Sequence, residues 1–135
     1  MLRYVVAYAA VLVAFLAIDL VWLGVIARDF YKAHLAAMMA PRPLLVPAAL
    51  FYLSFALGLV IFAVVPGLRD SSWRTALASG LMFGFFAYGT YDLTNLATLR
   101  DWSQTLSIVD LAWGTALSGV AAAIGYFAAA ALPAA

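Results

Sequence analysis

The sequence predicts an all-α integral membrane protein, a bundle of four spanning helices, and three observations carry that prediction. Of its 135 residues 68% are hydrophobic and 10% charged, where soluble domains carry about 25% charged residues, and mean hydropathy is +1.08. The apolar residues form long runs rather than short alternating segments, which favours helices over a barrel, because in lipid a helix satisfies its own backbone polar groups. A span takes about 20 residues, so a single transmembrane domain over 1–135 accommodates four, with no water-soluble domain of useful size beside them.

Taken in order, the first helix is expected at Tyr4–Ala27, between Arg3 and the Arg28-Asp29 pair. The second is expected at Leu44–Val65, entered after Pro41-Arg42-Pro43 and stopped by Pro66-Gly67, a strong breaker pair. The third covers Thr75–Leu99, flanked by Trp73-Arg74 and Arg100-Asp101-Trp102, and the fourth Leu106–Leu132, ended by Pro133. Trp, Tyr and Arg at these borders suit the headgroup region. Short links after the second and third helices force antiparallel neighbours. The longer first link holds Phe30–Met39, helical in composition, with Tyr31, Leu35, Met38 and Met39 sharing one face. It is expected to lie along the interface with that face in lipid, or alternatively to close over the bundle as a lid.

Several function classes are excluded or weakened. The chain has no cysteine, which removes disulfides, thiolate catalysis and thiolate-bound metals. Net charge is +1 without a basic cluster, so no nucleic-acid partner is expected. The apolar run after Arg3 is too long for a signal peptide and lacks a small-residue cleavage site, so it reads as a retained helix. Basic residues divide almost evenly between the two sides, and the positive-inside rule leaves orientation open. His34 reads as an interfacial residue rather than a metal ligand, and the identity of any metal or cofactor is left open by the sequence.

Three aspartates interrupt the apolar runs, each opening a similar tetrad: Asp19-Leu20-Val21-Trp22, Asp92-Leu93-Thr94-Asn95 and Asp110-Leu111-Ala112-Trp113. An ionised Asp near a bilayer centre costs about 2.5–3.5 kcal/mol, so three ask for roughly 8–10 kcal/mol of compensation. By helical rise, Asp19 lies about 13 Å from the Arg28 border, Asp92 about 12 Å from Arg100, and Asp110 about 6–9 Å inside the fourth helix. All three fall in the same leaflet half. Trp22, Asn95 and Trp113 each follow an acid by three residues and share its face, and an indole N–H can donate to a carboxylate. Tyr52 and Tyr91 fall in the same half, which makes Asp19, Trp22, Tyr52, Tyr91, Asp92, Asn95, Asp110 and Trp113 the candidate ligand-binding set. Tyr8, Ser79 and Tyr88 fall in the acid-free half, an asymmetry that suits a one-sided pocket rather than a channel. The competing reading is structural: buried carboxyls that only tie helices together.

Two further patterns concern packing. Ile18–Leu23 resembles Tyr91–Leu96, and Arg28-Asp29-Phe30 resembles Arg100-Asp101-Trp102, so the bundle can be read as two duplicated hairpins. Gly80, Gly84 and Gly89 on the third helix and Gly114, Ser118, Ala122 and Gly125 on the fourth are small-residue stripes suited to close approach, either with each other or with a second copy of the chain.

The segment Tyr91–Trp102 followed by Val109-Asp110-Leu111-Ala112-Trp113-Gly114, with Asp19–Gly24 and the proline before the second helix, resembles the signature of a family of small bacterial predicted membrane proteins of unassigned function. The resemblance covers nearly the whole chain. It implies a multi-pass four-helix protein of the bacterial inner membrane and supplies no activity.

The residues themselves leave three functions open. The preferred one is a carboxylate-lined intramembrane pocket that binds, and in one version transports, a cation, a proton or a small polar ligand. The others are an enzyme acting on a lipid-like substrate through paired carboxylates and an accessory subunit of a larger membrane complex. Besides the lipid bilayer, a second copy of the chain is the partner that so thin a bundle suits.

Overall fold

The computed structural model describes residues 1–35 and 38–133. Ala36 and Ala37 of the expected interfacial helix, and the final two residues of the chain, lie outside the described residues. Those described are organised entirely by helices. Helix α1 (Leu2–Val21) runs on through a π turn, Trp22–Ile26, and the short α2 (Arg28–Leu35) follows. Helix α3 (Leu45–Leu59) passes through a second π turn, Val60–Val64, into α4 (Val65–Arg69), and α5 (Trp73–Thr98) and α6 (Gln104–Ala130) complete the chain.

Three continuous segments are long and apolar enough to cross a membrane: Leu2–Ile26, Leu45–Arg69 and Gln104–Ala130. Helix α5 is of similar length, but Arg74, Thr90, Asp92, Thr94, Asn95 and Thr98 lower its hydropathy, and it falls short of that threshold. Large apolar side chains such as Val13, Leu20, Leu45, Phe62, Phe86 and Phe127 point outward, as expected where the surroundings are hydrocarbon rather than water.

The inward faces repeat every four residues. Ala7, Val11, Phe15 and Asp19 are the buried residues of α1. On α5 the buried series is Ala76, Gly80, Gly84 and Asp92, with Gly89 beside it, and on α6 it includes Leu106, Gly114, Ser118 and Ala122. This spacing keeps a side chain on one helical face, so the acids of α1 and α5 are continuations of the core stripe rather than intrusions on a lipid face.

The α5–α6 interface is the most extensive in the molecule, and that between α1 and α6 comes next. A methyl group at Gly84 would come within 2.5 Å of Gly114 O and Ser118 Oγ, and one at Gly80 within 2.7 Å of Ala122 Cβ. The two stripes therefore meet each other inside one chain. Gly125 is an exception, since it packs against Val11 of α1 and Val64 of the second π turn instead of α5.

Two breakers behave differently from expectation. Pro66 and Gly67 do not stop the second helix, which continues to Arg69. Pro66 occupies the first turn of the segment after the π turn, where a missing N–H is tolerated. Gly67 serves packing, because a methyl there would lie 2.7 Å from Ala76 Cβ. The true stop comes at Asp70–Ser72, after which the Ser72 hydroxyl accepts from Thr75 N and caps α5. Ser103 caps α6 in the same way through Leu106 N.

The matching Arg-Asp-aromatic triplets take unlike backbones. Arg28-Asp29-Phe30 opens α2, whereas Arg100-Asp101-Trp102 forms a turn in which Asp101 has φ 61°, a left-handed conformation that Asp tolerates better than most residues. The likeness of α1 to α5 thus ends with their buried stripes.

Candidate functional site

Asp19 sits at the inward end of α1 and is buried. Its Oδ2 accepts from the Tyr52 hydroxyl of α3 at 2.6 Å, and its Oδ1 from the Trp113 indole N–H of α6 at 3.0 Å. One carboxylate thereby fastens the first helix to the second and to the last. Each oxygen has a donor, the arrangement that makes a buried acid affordable in an apolar interior.

Asp110 accepts from the Tyr31 hydroxyl at 2.5 Å, and that hydroxyl accepts from the Trp22 indole N–H at 3.2 Å. The indoles of Trp22 and Trp113 stack with centroids 4.2 Å apart and planes 10° from parallel. Service is crosswise: the tryptophan of the fourth-helix tetrad bonds the acid of the first, and Trp22 reaches Asp110 through Tyr31. Sequence spacing suggested instead that each indole would stay with the acid on its own helix face.

The π turn prepares this arrangement. Its extra residue per turn closes on Ala27 N to Trp22 O at 2.7 Å, and Ala27 then departs from helical angles at φ −107°, ψ 9°. Such insertions recur at functional sites because they redirect side chains. Here the chain folds back so that α2 places Tyr31 and Leu35 on the wall of a cavity, which turns that part of their shared face toward the bundle. Burial, and after it the hydrogen bond to Asp110, pushes the Tyr31 phenol above its ordinary value. His34 turns back on its own helix, with Nδ1 2.8 Å from Phe30 O and its ring against Phe30.

The cavity has a volume of about 530 Å³. Asp19, Asp110, Tyr31, Tyr52, Tyr88 and Tyr91 supply its polar wall, and Phe51, Phe55, Leu23, Leu35, Ala87 and Leu106 its apolar wall. Phe15 backs the aromatic side, 4.9 Å from Phe55 between centroids. Tyr88 belongs to this cavity rather than to an acid-free half. Its ring fits because Gly114 has no side chain, where a methyl would collide with the ring. The glycine in Trp113-Gly114 is the sequence signal for that ring's place, alongside its part in the small-residue stripe.

Of the residues singled out in the sequence, Asp19, Tyr52, Tyr91 and Asp110 line the cavity, and Trp22 and Trp113 bond to its lining groups. Asp92 is fully buried away from the wall; neither of its carboxyl oxygens has a hydrogen-bond partner among the described residues. The Asp110 carboxyl adjoins it across the α5–α6 contact. Asn95 is half-buried and does not line the cavity. The expectation that three acids share one hollow is therefore corrected to two on the wall and one behind it. Among the described residues, no group of three His, Cys, Asp or Glu side chains is placed to hold a metal ion.

The family described as "Predicted membrane protein (DUF2177)" matches residues 4–127. No curated protein and no solved structure matches the chain.

Proposed function

Because the chain belongs to this family of predicted membrane proteins, we propose that it is a single multi-pass transmembrane domain of the bacterial inner membrane, a four-helix bundle whose pocket binds a small organic cation. In this reading α5 is also a span, the third in chain order, its polar face turned into the bundle and its Phe85, Phe86 and Leu93 toward lipid. The observation that carries the proposal is the presence of two carboxylates, Asp19 and Asp110, on the wall of a cavity otherwise built of rings and aliphatic groups. A volume near 530 Å³ is that of a small-molecule site, where a few polar groups orient an occupant and apolar walls hold it. Carboxylates attract positive charge, and the faces of Phe and Tyr rings add cation–π attraction when water is excluded. The geometry favours an amine or quaternary ammonium group on a compact apolar body over a bare divalent ion, which takes six or more oxygen ligands.

Calorimetric titration of the protein in lipid nanodiscs with benzyltrimethylammonium tests this. Binding is expected, and Asp110→Asn should weaken it tenfold or more, since loss of one close opposite charge is worth about 1–3 kcal/mol in a partly buried site. Absence of binding, or equal affinity in Asp19→Asn, Asp110→Asn and the parent chain, would overturn it.

A further inference from the structure

Asp92 is the acid that stands behind the pocket wall rather than on it. It is wholly buried on α5 with both oxygens unpartnered among the described residues. One turn earlier, Gly89 lies in contact range of Leu111, the neighbour of Asp110 on α6. The Asp92 and Asp110 carboxyls adjoin in that contact. An ionised carboxylate without a donor is costly in an apolar interior, and two ionised carboxylates side by side repel. A single proton relieves both problems. As a neutral acid Asp92 becomes a donor, and Asp110, which uses Oδ1 to accept from Tyr31, still has lone pairs to accept from it.

We infer that Asp92 and Asp110 hold one proton between them and exchange it for a cation entering the cavity, a proton-coupled site that rests on the pocket reading above. In the exchange the Asp92 O–H bond breaks, its electron pair stays on the Asp92 carboxylate, and the proton passes to the adjoining Asp110 carboxylate and from there, on the cavity wall, to water, leaving both carboxyls ionised. The pair goes from one negative charge to two, and the single positive charge of the occupant restores the balance. Nothing is oxidised or reduced. The groups acting on the pair are Tyr31 from α2, bonded to Asp110; Asp19 from α1, on the wall of the same cavity; and Tyr88 and Tyr91 from α5 itself. The nearby carboxylate disfavours a second negative charge, so it holds the proton in place until a cation arrives.

Benzyltrimethylammonium suits the test because it has no proton of its own to release. In weakly buffered solution its binding should liberate a single proton per bound cation, and affinity should rise with pH. Asp92→Asn should bind without proton release and lose the pH dependence. Infrared spectroscopy of the unliganded protein should show a protonated-carboxyl stretch that disappears in Asp92→Asn, shifts in Asp110→Asn and persists in Asp19→Asn. If that band is absent, or is unmoved in both Asp92→Asn and Asp110→Asn, the proton site is overturned. A band that behaves as described, in a protein that binds no benzyltrimethylammonium, upholds the shared proton and overturns the exchange together with the pocket reading.

Discussion

Tyr52 and Trp113 give Asp19 one donor each, so removing either hydrogen bond leaves a buried carboxylate oxygen bare. Tyr52→Phe keeps the ring that packs on Phe15 and deletes only the hydroxyl. A loss of about 1–2 kcal/mol is expected, measured as a lowered midpoint of unfolding in detergent, and an unchanged midpoint would mean that Asp19 finds another donor. Tyr31 makes a pH prediction. Its folded value is raised by burial first and by Asp110 second, so the unfolded chain loses that phenolic proton more readily than the folded one. The associated stability is full below about pH 10, the ordinary phenol value, and declines as pH climbs beyond it toward the folded value. Alkaline unfolding of Tyr31→Phe should therefore fall less steeply with pH than that of the parent chain. The three acids were legible in the sequence because each breaks an apolar run, whereas their partners were not: Tyr31 lies outside the spans, and no spacing rule links Trp113 to an acid 94 positions away.

At the level of elements, the α5–α6 contact depends on bare backbone at chosen places. Gly84→Ala would press a methyl to 2.5 Å from the Gly114 carbonyl oxygen, which cannot rotate away, whereas a methyl at Gly89 meets only Leu111 at 3.5 Å. Gly84→Ala should cost about 1–3 kcal/mol and Gly89→Ala stay within about 0.5 kcal/mol of the parent, both read from unfolding midpoints. Equal effects would show that α5 and α6 separate freely. The small-residue stripes were legible in advance, as were helix positions to within a few residues. The π turns were not, because an inserted residue leaves the apolar pattern nearly intact. That is why Pro66 looked like a stop: the preceding turn had already moved it to a position where its N–H is not required.

For the whole molecule, the four-span reading fixes which loops share a side. The chain has no cysteine of its own, so single cysteines placed at Ala40, Ser71 and Ser103 can be labelled in intact cells by a membrane-impermeant reagent. Ala40 and Ser103 are expected to react from one side and Ser71 from the other; labelling of Ala40 and Ser103 from opposite sides would remove α5 as a span. Because the glycine stripes are consumed within one chain, a homodimer would have to use an outer face. Composition made the membrane class plain, while the cavity came only from the way α2 folds back, which no hydropathy profile records. The tryptophan pair has a last consequence. Trp22 and Trp113 come from the first and last spans and stack at 4.2 Å, near enough for their excited states to couple, so near-ultraviolet circular dichroism should carry a split signal that either Trp→Phe change abolishes, giving the assembled protein an intrinsic optical gauge of whether its two ends are closed on each other.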